Sequence, residues 1–224
     1  MMTDRAAADL DRRARQSLGS SGAAIYRTVA ALLAKRQTGG TLADVGCGGG
    51  HLWSHVRAGF TRCIGIDAVR YDGLPEDIVF TRANLDEWPL PLAGACADVV
   101  AAVEVIEHLE NPRAFCRELV RLARPGGWVV VSTPNQLSVL SLMTLVAKQR
   151  FSAFQDGAYP AHITALLEAD LRRVAAECGL DAVEVRYTGE GRLPGTARHY
   201  PAAVSAWFPR GLSDNVVLIG RVRG

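Results

Sequence analysis

Thr41-Leu42-Ala43-Asp44-Val45-Gly46-Cys47-Gly48-Gly49-Gly50 is the stretch whose reading decides the fold. A short β-type run, Thr41–Val45, flows directly into a glycine cluster, and a helical pattern, Leu52–Ala58, follows. Glycines at such a junction let the backbone turn tightly and approach a ligand without an intervening Cβ. The incoming helix presents unpaired N–H groups and the positive end of its dipole, which suits a carboxylate or phosphate. The next β-type run ends in Asp67, where a carboxylate can accept both hydroxyl hydrogens of a ribose.

Working outward, β-type runs recur at Cys63–Ile66, Ile78–Thr81, Asp98–Val103, Trp128–Ser132, Ala182–Tyr187 and Val216–Val222. The early ones are continuously apolar, as expected for central strands covered on both faces. Helical patterns lie between them at Pro112–Ala123 and Leu166–Cys178, with Pro125-Gly126-Gly127 and Gly179 as stops. Alternation of β and α units predicts an α/β, doubly wound, mainly parallel sheet with helices on both faces. Such sheets bind ligands at the carboxyl ends of their strands, where strand order reverses. The reading is a single domain over 1–224, with an N-terminal helical region at 1–38. Two long connections, 133–165 and 188–215, follow strand ends and are expected to cover the ligand crevice.

Composition bounds the partners. Half the residues are apolar (49%) and the net charge is +2, which argues against dominant nucleic-acid or membrane-surface electrostatics. The five cysteines are scattered without a C-x-x-C pair, so a reducing compartment is expected. Asp4, Asp9 and Asp11 lie among the N-terminal arginines with no apolar core, unlike an export signal. The longest uncharged apolar stretch, Leu137–Ala147, is short of the ~20 residues of a spanning helix. A soluble, cytoplasmic chain with no transmembrane segment is expected; oligomeric state is not legible.

A dinucleotide would also suit the glycine loop, but G-x-G-x-x-G requires a third glycine where His51 stands. The segment Asp44–Gly50, followed in order by Gly65-Ile66-Asp67, Ala83-Asn84-Leu85-Asp86, Glu104-Val105-Ile106-Glu107-His108-Leu109 and Arg124-Pro125-Gly126-Gly127, instead resembles the motif series of class I S-adenosylmethionine-dependent methyltransferases. That resemblance implies a Rossmann-like, seven-stranded sheet whose last strand is antiparallel. It implies S-adenosylmethionine as cofactor. Gly46, Cys47 and Gly48 would line the methionine moiety, and Asp67 would hold the ribose. Ala68 and Leu85 would lie against the adenine, with Asn84 at its edge. Asp44 would act through the amino group or a water, and Glu104 would support the cofactor.

Glu104, Glu107 and His108 stand at i, i+3 and i+4, so a helical turn would aim all three to one face. Two carboxylates and an imidazole can bind a divalent ion, and His162 in the first long connection could complete the set. This E-x-x-E-H pattern with a later histidine resembles the ubiquinone-biosynthesis O-methyltransferases and the enzymes that 2′-O-methylate RNA 3′ ends. The resemblance implies magnesium or manganese chelating a diol. Without a metal, His108 or His162 is the expected general base, with Glu107 beside it. His51 and His55 share an i, i+4 spacing but lack the glutamate of H-E-x-x-H and are read as helix residues.

Val139, Leu142, Met143 and Val146 predict an amphipathic helix at Ser138–Gln149, with Phe151, Phe154 and Tyr159 following. Packing surface and substrate lid are both open readings. Arg186, Tyr187, Arg192, Arg198, His199 and Tyr200 suit either an anionic substrate feature or a solvated surface. Ser132-Thr133-Pro134-Asn135 and Leu212–Val217 resemble segments of bacterial glycan and natural-product methyltransferases. The expected function is O-methylation of a small hydroxylated substrate, a sugar, catechol-like compound or natural-product diol. The alternatives are an RNA 3′-terminal 2′-O-methyltransferase and a non-catalytic cofactor-binding subunit.

Overall fold

The computed structural model describes Gln16, residues 19–36 and residues 38–224. The expected helical region at 1–38 is seen as α1 (Ala23–Ala34); Asp4, Asp9 and Asp11 lie outside the described residues. There follow β1 (Thr41–Val45), α2 (His51–Val56), β2 (Arg62–Asp67), β3 (Ile78–Arg82) and β4 (Ala97–Ala102). The second half holds α3 (Pro112–Leu122), β5 (Ala123–Pro134), α4 (Val139–Lys148), α5 (Glu168–Glu177), β6 (Leu180–Tyr187), α6 (Ala202–Trp207) and β7 (Asn215–Val222).

The seven strands form one sheet in the order β3-β2-β1-β4-β5-β7-β6. β1 pairs in parallel with β2 and β4, and β7 runs antiparallel to both β5 and β6. Both the doubly wound sheet and its antiparallel last strand are therefore present. Strand order reverses between β1 and β4, and the crevice opens at their carboxyl ends.

The continuous apolar runs are explained by cover on both faces. Ala43, Val45, Val100 and Ala102 pack with Phe115, Leu119 and Leu122 of α3 and Leu171 and Val174 of α5. Leu42, Val99 and Ala101 pack on the other face with Val29, Leu32 and Leu33 of α1 and Leu52, Trp53 and Val56 of α2. Each fully buried valine, leucine or phenylalanine among them contributes about 1.5–3 kcal/mol. α3 begins where Asn111 accepts the Ala114 N–H at 3.0 Å and Pro112 occupies the first turn.

One expectation is corrected. Pro125-Gly126-Gly127 lie inside a longer β5, where a register irregularity between Ala97 and Val99 accommodates them. The Ser138–Gln149 helix forms as expected, capped by the Ser138 hydroxyl and ended by Gln149 at φ 54°, and of its apolar stripe only Val139 is half-buried. Leu142, Met143 and Val146 face outward, and the buried side chain is that of Ser141. Among the described residues no helix is long and apolar enough to cross a membrane.

Candidate active site

A cavity of about 300 Å³ sits at the β1/β4 reversal, and all twelve site residues expected from the sequence border it. Gly46 and Gly48 turn the chain out of β1 with φ of 77° and 51°, left-handed values that favour glycine. A Cβ on Gly46 would lie 2.3 Å from Val105 Cγ2, and one on Gly48 would lie 2.2 Å from the Gly19 carbonyl oxygen. The loop is thus pressed between the β4 turn and a chain segment from before α1.

Asp67 accepts the Gly48 N–H at 2.8 Å and the Val69 N–H at 3.3 Å. Burial raises its pKa, and these backbone donors oppose the rise. Asp44, 2% exposed, has one carboxylate oxygen without a hydrogen-bond partner among the described residues. Its burial, reinforced by the charge of Asp67, lifts its pKa to about 7. Two acids in one dry wall make a site that favours a cationic ligand group. Cys47 is buried, and desolvation pushes its thiol upward, the opposite of an activated nucleophile. Ala68 and Leu85 offer buried apolar walls. Asn84 borders the cavity, but its amide N–H₂ donates to Glu87 and its carbonyl accepts the Asp86 N–H.

Glu104, Glu107 and His108 do not form the helical face expected of them. Glu104 has φ 56°, and only Ile106–His108 make a short 3₁₀ turn. The turn separates the two glutamates. Glu104 accepts from the Ser132 hydroxyl at 3.1 Å and from Asn215 Nδ2 at 2.6 Å, while burial carries its pKa to about 8. Its oxygens are therefore engaged, and it stands outside the candidate metal set.

Glu107, His108 and His162 do come together, with one ligand atom from each within 4.8 Å of the others. The link is backbone pairing: the Glu107 carbonyl accepts the Ile163 and Thr164 N–H groups, both at 3.0 Å. Thr164 Oγ1 adds a bond to the Leu109 carbonyl. His108 Nδ1 contacts the Ala161 carbonyl at 2.8 Å and His162 Nδ1 the Ala153 carbonyl at 2.6 Å. A carbonyl only accepts, so each Nδ1 carries a proton, and in a neutral ring the lone pair is on Nε2. Burial lowers the His162 pKa and favours that neutral ring, which Phe154 supports at 5.4 Å between centroids. Glu107 is fully buried, and neither carboxylate oxygen has a hydrogen-bond partner among the described residues. Desolvation and the neighbouring Glu104 charge hold its pKa well above the carboxylate range; the nearby Thr133 hydroxyl eases this slightly.

Sequence reasoning missed a strap and a tyrosine. Gly19, Ser20, Ser21 and Gly22 border the cavity, and the Gly49 N–H donates to the Gly19 carbonyl at 2.9 Å. Tyr26, also in the wall, accepts the Ser21 N–H and stacks near His51 and His55. The Gly19-Ser20-Ser21-Gly22 turn composition was the available signal. The two long connections cover less than expected. Only Ala161 and His162 of 133–165 border the cavity, and none of 188–215 does. Arg186 and Arg192 pair instead with Glu184 and Asp214.

Residues 12–185 match the model of a methyltransferase domain family. The chain belongs to that family. It is 31% identical over 193 residues to a probable S-adenosylmethionine-dependent methyltransferase of Mycolicibacterium smegmatis, covering 81% of this chain and 68% of that one. It is 27% identical over 171 residues to a ubiquinone biosynthesis O-methyltransferase of Bordetella bronchiseptica, covering 72% and 68%. The chain thus spans about two thirds of the length of these relatives. Methyltransferases of known structure from Archaeoglobus fulgidus (TM-score 0.60, 16% identical, 88% of this chain and 94% of that) and Mesorhizobium loti (TM-score 0.59, 18% identical, 89% and 98%) share the fold. S-adenosylmethionine is the cofactor of this family.

Proposed function

We propose that this methyltransferase methylates a hydroxyl oxygen of a small hydroxylated substrate at the Glu107–His108–His162 end of the cavity. The observation that carries the reading is the buried Glu107 carboxyl group, whose oxygens have no hydrogen-bond partner among the described residues, brought together with two imidazoles whose Nδ1 atoms contact carbonyls. A buried carboxylate without hydrogen bonds is costly unless something cationic or protic meets it. The kinship with ubiquinone biosynthesis O-methyltransferases supports oxygen as the acceptor.

S-adenosylmethionine, when bound, supplies a sulfonium methyl to which an oxygen lone pair adds as the sulfur–carbon bond breaks. The glycine loop, Asp44 and Asp67 would hold its methionine and ribose, and Ala68, Leu85 and Asn84 its base. The strap at 19–22 borders the same cavity. The chain's remaining task is the hydroxyl proton. Two imidazoles and one carboxylate can hold a divalent ion, manganese more readily than magnesium, which keeps to oxygen ligands and its own waters. Such an ion would lower the pKa of a hydroxyl it touched. Each imidazole is oriented for that set by its Nδ1–carbonyl contact. The Nε2 lone pairs support a second reading, in which His108 or His162 accepts the proton directly.

Titration of the purified protein with manganese, followed by electron paramagnetic resonance, separates the two. One ion bound per chain, lost in both Glu107→Gln and His162→Ala, supports the chelating site. Absence of binding in the presence of S-adenosylhomocysteine would discard it and leave the histidine base. Methylation of nitrogen or carbon acceptors in a substrate screen, with hydroxylated compounds inert, would overturn the oxygen assignment altogether.

A further inference from the structure

A glycine loop between a strand and a helix is expected to offer its backbone N–H groups to an anion. In the loop after β1 those groups are engaged within the protein. The Gly46 and Cys47 N–H groups donate to the Ile66 carbonyl at 2.7 and 3.2 Å, and the Gly48 N–H donates to Asp67 at 2.8 Å. Gly49 donates to the Gly19 carbonyl at 2.9 Å and Gly50 to the Cys47 carbonyl at 2.8 Å. The wall around the loop is acidic, since Asp44, Asp67 and Glu104 all border the cavity. An α-amino acid group carries an ammonium and a carboxylate on one carbon. These acids attract the first and repel the second, so the methionine carboxylate of the cofactor needs a different receptor.

The strap and α1 supply one. Ser21 and Tyr26 border the same cavity, and the bond from Gly49 to the Gly19 carbonyl ties the strap to the loop. Tyr26 is 8% exposed, and its phenol oxygen accepts the Ser21 N–H at 2.9 Å. Burial raises the pKa of the phenol and the charges of Asp44 and Glu104 add to the rise, while the Ser21 hydroxyl and N–H oppose it. The phenol therefore stands close to the Ser21 hydroxyl and in the field of two of the acids. Each of the two hydroxyls has one hydrogen. When one donates to the other, a single O–H hydrogen is left to meet a ligand. His51 and His55 tilt against the Tyr26 ring, at 6.1 and 5.4 Å between centroids, and the ring joins the core beneath α1. Acids and hydroxyl donors thus lie side by side, as the two charges of an amino acid group do.

We infer that the Ser21–Tyr26 hydroxyl pair receives the methionine carboxylate of the cofactor, with the ammonium turned to Asp44 and Glu104. The inference rests on the assignment of this cavity to S-adenosylmethionine and is independent of the acceptor atom and of any metal. Calorimetric titration of the full chain with two ligands isolates the carboxylate. S-adenosylhomocysteine carries the whole amino acid group; S-adenosyl-3-thiopropylamine keeps the adenosine, sulfur and amine but lacks the carboxylate. Tyr26→Phe should weaken S-adenosylhomocysteine binding roughly tenfold to hundredfold, the loss of a hydrogen bond to a charged group, and leave the amine ligand unaffected. Ser21→Ala should show the same selectivity with a smaller loss. Asp44→Asn should weaken both ligands, since both carry the amine. Undiminished S-adenosylhomocysteine affinity in Tyr26→Phe overturns the inference. So does an equal loss for the two ligands, which would make the tyrosine a support of the wall only. Failure of the wild-type chain to bind either ligand would overturn the cavity assignment itself, and the inference with it.

Discussion

Asp44→Asn tests the electrostatics of the cavity wall most directly, because its consequence is a slope and not a single number. The wild-type carboxyl is raised from 3.8 to about 7 by burial and by the charge of Asp67. Between those limits the unfolded chain has released a proton that the folded chain retains. Folding stability therefore falls as pH rises from about 4 to about 7 and levels off above. The shift of about three pH units corresponds to a ceiling of ~4 kcal/mol at 1.36 kcal/mol per unit. The amide introduced by the substitution cannot ionise, so that part of the slope disappears. Removing the charge also relieves Asp67, whose raised pKa acts in the same direction. Urea denaturation of the cofactor-free protein across pH 4 to 8 would show the variant gaining on wild type as pH rises. A stability difference that stays constant across that range would refute the reasoning. Calorimetry with S-adenosylhomocysteine should show the opposite trend, weaker binding in the more stable variant, since the lost carboxylate borders the cavity proposed to hold the ligand.

Two further substitutions probe the loop. Asp67→Ala should weaken S-adenosylhomocysteine binding tenfold to hundredfold, the loss of one charged hydrogen-bonding group; an unchanged affinity in the same calorimeter removes the ribose assignment. Gly46→Ala places a Cβ 2.3 Å from Val105 Cγ2 at φ 77°, and strain and overlap together should cost ~2–4 kcal/mol in a thermal melt. Partial recovery in Gly46→Ala with Val105→Ala is expected, and a melt unaffected by Gly46→Ala would show that the close approach is not maintained.

Much of this protein is legible because it is local. β1 could be bounded at Thr41–Val45 from apolar continuity and the glycines that end it, and Asp67 could be placed because a strand end follows directly from its run. The same spacing rules identified a helix after Ser138 but could not say which way its stripe would face. Periodicity shows that a stripe exists; only the neighbours decide whether it is covered, and here Ser141 took the inner position. The i, i+3, i+4 reading of Glu104, Glu107 and His108 failed for a related reason. A left-handed residue at Glu104, anchored by Asn215 from 111 residues away, broke the helical phase. The strap at Gly19 and the approach of His162 to Glu107 depend likewise on hydrogen bonds between segments remote in sequence. The glycine loop, the strand ends and the family motifs were thus set by residues acting on their immediate neighbours. Which carboxylate kept an oxygen without a partner, which histidines met it and which faces stayed bare were decided by tertiary structure, because desolvation and long-range pairing exist only once the chain has closed on itself.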